Sequence, residues 1–201
     1  MSNPGTSNLI EMFKTKAQAV GTIVAEADDW AGALDYALEV ARNKPPLEPL
    51  LPEPATEARR LAAPGLPAEA LEELTRRGRA MGLTVIGDGL RGHLAGIDLG
   101  LAVADLAVAE TATVIMTDSG EEARLAGMIS EVQVVAVDVG RLVETAAEAE
   151  SLLRVALGEA GYVSFISGCS RTSDIERVLT LGVHGPLEMH VVLMKGPGHG
   201  V

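Results

Sequence analysis

The densest run of reactive side chains in this sequence extends from Ser167 to His190, reading S-G-C-S-R-T-S-D-I-E-R-V-L-T-L-G-V-H-G-P-L-E-M-H. Gly168 permits a tight turn, and the hydroxyls of Ser167, Ser170 and Thr172 can bond a phosphate or a carboxylate. Arg171 adds a guanidinium whose fork matches either anion in a bidentate pair. Ser173 and Glu176 spell the capping box S-x-x-E, so a helix is expected over Asp174–Leu181, with its first N–H groups beside the hydroxyls. Two acids in that first turn weaken its attraction for anions. Asp174 therefore reads as a holder of Arg171 or an acceptor for a ligand hydroxyl. His184 lies in G-V-H-G-P, where a structural hydrogen bond and proton transfer near neutral pH are both open. Cys169, the sole cysteine, reads as a small apolar residue, with a thiolate served by His184 as the lesser alternative.

A second group lies at Asp105–Thr113, just before an apolar run. Glu110 at a strand edge can be a nucleophile, a base, or a carboxylate that orders its turn. Thr111 and Thr113 offer hydroxyls on the same stretch, and Asp105 reads as a turn cap. His93, His190 and His199 do not fall at metal-ligand spacing, so no metal site is expected.

These two groups need elements to hold them. Leu9, Phe13, Val20, Val24 and Ala27 recur near helical spacing, which predicts a helix over residues 8–27. Trp30, Leu34, Ala37, Leu38 and Ala41 mark one face of a second helix. Pro45, Pro46, Pro49, Pro52 and Pro54 rule out helix or central strand over Asn43–Thr56. That stretch reads as a linker or strap, packed down through Leu47, Leu50 and Leu51. A helix over Pro67–Met81 turns Leu71, Leu74 and Met81 inward and stops at Gly82. Apolar runs at Leu83–Ile86, Leu99–Val103, Leu106–Val108, Ala112–Thr117, Val132–Val137, Tyr162–Ile166 and Leu187–Met194 read as strands. Glu121–Ile129 and Arg141–Leu157 read as helices between them. Strands that are apolar on both faces and alternate with helices predict an α/β fold with a mostly parallel sheet.

Composition narrows the partners. Hydrophobic residues make up 47% of the 201, but aromatics only 2%, so the core must be aliphatic. The net charge is −12, which disfavours nucleic acid and anionic membrane. One cysteine cannot make an intrachain disulfide or, by itself, hold an iron–sulfur cluster. No apolar run reaches the length of a membrane span, and Met1–Asn8 lacks the order of a signal peptide, so a cytoplasmic location is expected.

Four segments, A-D-L-A-V-A-E-T-A-T-V-I (Ala104–Ile115), R-L (Arg124-Leu125), Ser167–Glu176 and Gly182–Pro186, closely resemble the LUD-domain family, in order and with natural spacing, across roughly residues 83–195. The family pattern has glycine where this chain has Ala112, and proline where it has Cys169. The resemblance implies a ribose-5-phosphate isomerase/CoA-transferase-like sheet with helices on both faces. An N-terminal helical extension and Pro-rich linker (residues 1–56) would precede the LUD-type α/β domain (57–201). It implies a part in oxidising L-lactate to pyruvate beside iron–sulfur partner proteins, which would carry the clusters while this chain binds no cofactor. On that view Ser167, Gly168, Ser170, Arg171, Thr172, Asp174, Thr111 and Thr113 bind a small anionic ligand, with His184 shaping the pocket. The alternative is a stand-alone enzyme acting on a CoA thioester or sugar-like acid with Glu110 as nucleophile or base.

Overall fold

The computed structural model describes residues 4–45, 47, 59–117, 120–159, 162–174 and 177–196. Six strands form a wholly parallel sheet: β1 (Thr22–Ala27), β2 (Arg59–Ala62), β3 (Leu83–Ile86), β4 (Ile97–Val103), β7 (Ser130–Asp138) and β12 (Glu188–Met194). Their order across the sheet is β1-β12-β7-β4-β2-β3. The central strands are buried on both faces, as the near-continuous apolar runs require.

Alternation along each strand divides the core in two. Val132, Val134 and Ala136 of β7 pack with Leu34 and Leu38 of α2 (Trp30–Asn43) and Leu74 of α3 (Ala68–Ala80). Val135 and Val137 pack on the opposite face with Ile10, Phe13 and Ala17 of α1 (Pro4–Ala19). The same face carries α4 (Glu121–Ile129), whose Ala126 is buried with Ala62, Leu90 and Ile97. Helices thus cover both sides, and the core is almost wholly aliphatic, with Phe13 its one fully buried aromatic among the described residues.

A smaller sheet follows the order β8-β5-β6-β9. It is built from β5 (Leu106–Val108), β6 (Thr113–Met116), β8 (Leu142–Val143) and β9 (Ser164–Ile166), and α5 (Ala146–Glu159) packs on it through Ala149 and Leu153. A two-stranded hairpin, β10 (Arg171–Thr172) with β11 (Thr180–Leu181), completes the fold.

Four expectations are corrected. First, residues 22–27 are not the end of a helix. Gly21, at φ 72°, breaks the helix, and the β-branched Thr22, Ile23 and Val24 continue as an edge strand paired with β12. The N-terminal segment is therefore not a helical extension: β1 and α2 join residues 59–194 in one sheet and one core. Second, Leu142–Val143, expected as helix, is a short strand beside β5. Third, the described part of Asp174–Leu181 contains no helix. Thr172 pairs with Thr180 and Arg171 with Leu181, so the described part of this stretch runs back as a hairpin, and the capping-box reading falls with the helix; Glu176 lies outside the described residues. Fourth, Met81 faces solvent at 36% exposure rather than the core.

The proline-rich strap is anchored where it can be followed. The Leu47 N–H donates to Asp98 at 3.1 Å, as expected of a packed strap; Leu50 and Leu51 lie outside the described residues. Asp98, buried at the start of β4, also accepts from the Arg60 N–H at 2.9 Å and pairs with Lys44 at 3.1 Å. Lys44 pairs in turn with Glu131 at 2.6 Å, so a buried charge cluster ties α2, the strap, β2 and β7 together.

Candidate functional site

The S-G-C-S-R turn is shaped by what it lies against. Gly168 has φ 87°, and a Cβ there would sit 2.4 Å from the Val20 carbonyl oxygen, so only glycine fits without backbone movement. Three residues later the chain enters β10, and the Arg171 guanidinium lies over Gly21, with Nη2 2.6 Å from where a Cβ would be. Gly168 and Arg171 therefore both dock on the corner between α1 and β1. Cys169 is half-buried against the α1-side core, in keeping with a small apolar role.

Ser170 joins the two turns of the segment. Its N–H donates to Pro186 O at 2.8 Å, its carbonyl accepts from the Gly182 N–H at 3.0 Å, and its hydroxyl accepts from the His184 N–H at 3.2 Å. The His184 side chain is exposed. Thr172 Oγ1 accepts from the Asp174 N–H at 3.3 Å. Among the described residues Arg171 has no carboxylate partner, and Asp174 does not pair with it.

The second predicted group does meet the first. Thr113 Oγ1 lies 2.7 Å from Ser167 Oγ and 2.7 Å from Thr111 Oγ1, a chain of three hydroxyls joining β6 to the end of β9. Glu110 lies apart from that chain's bonds. Its Oε1 accepts from the Ala146 N–H at 2.7 Å, capping the start of α5, and its own N–H donates to Glu144 O at 3.0 Å. Between Glu110 and Thr113, Ala112 is buried at φ 50°, a left-handed conformation that explains why glycine suits this position.

A separate crevice opens at the carboxyl ends of β2 and β4. It measures about 360 Å³ and is lined by Pro64, Gly65, Val103, Asp105, Thr117 and Glu122, among others. The chain leaves β2 toward β3 but leaves β4 toward β7. Neighbouring strands whose connections diverge mark the place where open parallel sheets hold ligands. Asp105 Oδ2 accepts from the Thr117 N–H at 2.7 Å and from its hydroxyl at 2.9 Å, so it anchors the crevice wall. Glu122 accepts from the Leu90 N–H at 2.9 Å. Two carboxylates make this crevice a place for hydrogen-bond donors, whereas Arg171 and the hydroxyl chain suit an anion.

Sequence reasoning gave Asp105 only a turn-capping role, because the partner strand that forms the crevice, β2, is four residues long and begins with two arginines. It also passed over His190, whose ring bridges Tyr36 and Glu188. Tyr36 and His190 stand 154 positions apart, and no local pattern signals the contact.

Among the described residues no helix is long and apolar enough to cross a membrane, and no group of three metal-ligating side chains occurs. The fold is similar to the crystal structure of a DUF162 family protein from Deinococcus radiodurans, with a TM-score of 0.63 and 21% identity over 94% of this chain and 98% of that one. Lactate utilization protein C of an Exiguobacterium species is 34% identical over 101 residues, or 48% of this chain and 44% of that protein. The protein of the same name from Shouchella clausii is 32% identical over 94 residues, or 45% and 41%. An uncharacterized protein of Neisseria meningitidis is 34% identical over 106 residues, or 51% and 44%. The matched stretch spans less than half the length of these relatives. The LUD domain family itself is matched over residues 10–194. The chain belongs to the LUD domain family.

Proposed function

We propose that this chain is a ligand-binding accessory component of L-lactate utilisation, acting in the cytoplasm beside iron–sulfur proteins that carry the redox centres for oxidation to pyruvate. The observation that carries the reading is Arg171: an exposed residue whose guanidinium has no carboxylate partner among the described residues, on a turn shared with Ser167 and its hydroxyl chain. In this reading Arg171 takes the carboxylate of a small anion such as lactate or pyruvate. Ser167, Ser170, Thr172, Thr111 and Thr113 supply hydroxyls, Gly168 sets the turn, and Asp174 and His184 border it. The names of the similar relatives from Exiguobacterium and Shouchella clausii support the metabolic setting. A single cysteine is consistent with clusters residing on partner chains.

The ribose-5-phosphate isomerase/CoA-transferase-like assignment belongs to the same proposal. It is supported by the six-stranded parallel sheet, with its smaller companion sheet. The competing reading, a stand-alone enzyme on a CoA thioester or sugar-like acid, draws on the crevice at the diverging strands, where Asp105 and Glu122 suit a hydroxyl-rich ligand. It must also give a catalytic role to Glu110, one of whose oxygens already caps α5.

Anaerobic affinity purification from the native host, followed by a lactate oxidation assay, separates the two. Co-purification with cluster-bearing proteins and lactate-dependent reduction of an acceptor dye support the accessory component. Turnover of an acyl-CoA by the isolated chain, lost in Glu110→Gln, would replace it with the enzyme.

A further inference from the structure

At the opposite, amino-terminal edge of the main sheet lies a cavity of about 500 Å³, lined by Tyr36, Glu39, Lys44, Glu188 and His190 among others. His190 is buried at 4% exposure and bonded through both ring nitrogens. Nε2 lies 2.7 Å from Glu188 Oε1, and Nδ1 lies 2.7 Å from the Tyr36 hydroxyl. A carboxylate can only accept, so Nε2 carries the proton; in the neutral ring Nδ1 is then the acceptor, and the Tyr36 hydroxyl must donate to it. Burial, which disfavours the imidazolium, agrees with the neutral form.

Beside the Asn43 amide, which can donate or accept, the charged and phenolic groups of the cavity are one-sided. The single Tyr36 hydroxyl proton goes to His190. Lys44 donates to Pro45 O at 2.7 Å and to Asp98 at 3.1 Å, and its ammonium is ion-paired with Glu131 at 2.6 Å, so its charge is already matched. Among the described residues no donor meets Glu39 or the second oxygen of Glu188. What the ionisable and phenolic groups leave for a ligand is therefore acceptors: the Tyr36 oxygen lone pairs and two carboxylates. Both carboxylates are near enough to Tyr36 to hold its phenol above the usual value, after the larger effect of burial. The Tyr36 ring adds an aromatic surface that favours a cation.

We infer that this cavity is a binding site for a small protonated amine, with the ammonium seated between Tyr36 Oη and the Glu39 and Glu188 carboxylates. The Tyr36–His190–Glu188 chain is the positioning device: it turns the phenol so that its lone pairs, not its proton, face the ligand. The site lies on the opposite strand ends from the Asp105 crevice and does not depend on the lactate reading.

The test is an NMR titration of the whole chain, labelled at histidine, with ethanolamine, methylamine and 1,4-diaminobutane as hydrochlorides. Ethylene glycol and sodium acetate are the neutral and anionic controls. The expected result is a saturable shift of the His190 ring signals with at least one amine and with neither control. Glu39→Gln, a change at an exposed helix position that leaves the core untouched, should weaken that amine about tenfold, and Tyr36→Phe should weaken it too. No saturable shift with any of the three amines would overturn the inference. So would equal binding of acetate or glycol, or undiminished amine affinity in folded Glu39→Gln.

Discussion

Gly168→Ala tests whether the signature turn is docked on the α1–β1 corner as described. Two effects add. Alanine at φ 87° carries the left-handed penalty of about 1–2 kcal/mol. Its methyl would also start 2.4 Å from a backbone carbonyl oxygen, which no rotamer can relieve, so the β9–β10 link or the corner must shift. Overpacking of that kind costs about 1–3 kcal/mol. The stiffer unfolded chain returns about 0.4–1 kcal/mol. The expected net loss is about 3 kcal/mol, which for a chain of this size lowers Tm by about 6–12 °C. Gly82→Ala is the control: φ is 75°, but among the described residues nothing lies within 4 Å of the added methyl. It carries only the dihedral penalty, about 1 kcal/mol. Thermal and urea unfolding of both variants isolate the clash. If Gly168→Ala were no worse than Gly82→Ala, the docking of the turn on Val20 would be refuted.

Lys44→Met leaves Asp98, and beside it Glu131, without their shared cation, so urea unfolding should show a loss of about 3–5 kcal/mol. Gln133 is buried at 1% exposure with neither amide atom bonded among the described residues, so Gln133→Met should be neutral or stabilising by about 1 kcal/mol in the same assay. A clear loss there would mean that the amide is satisfied by bound water. Burial, opposed by Glu188, holds the His190 imidazole below its ordinary 6.5. As pH falls the unfolded chain takes up this proton first, so stability should decline from about pH 6.5 until the folded ring also titrates. That slope, measured by urea unfolding across the window, should flatten in His190→Gln.

Much of the fold could be read from local patterns because burial and periodicity agreed there. The apolar face of α2 and the unbroken runs of β7 and β12 each match an element that is buried as expected. The failures have physical causes. Val20, Val24 and Ala27 continue the spacing of α1, so β1 looked helical, although Gly21 and three β-branched residues signalled the change. Ser173 and Glu176 spell a helix start, but pairing of Thr172 with Thr180 decided the matter, and pairing across a loop has no local signature. The hydroxyl chain from Thr111 to Ser167 joins two stretches singled out in advance, although only the sheet could show that β6 and β9 are neighbours. Asp105 and the Tyr36–His190–Glu188 chain arise from strand order alone.

The central claim, that Arg171 holds a small anion needed for lactate utilisation, is tested most directly by growth. A lactate-using host lacking its own copy of this chain is complemented with the wild-type sequence or with Arg171→Ala, and growth is measured on L-lactate and on glucose. Because Arg171 is exposed and outside the core, the variant should accumulate as a folded protein. The account predicts wild-type growth on glucose and none on lactate for Arg171→Ala. Full growth on lactate with the variant folded and abundant would contradict it.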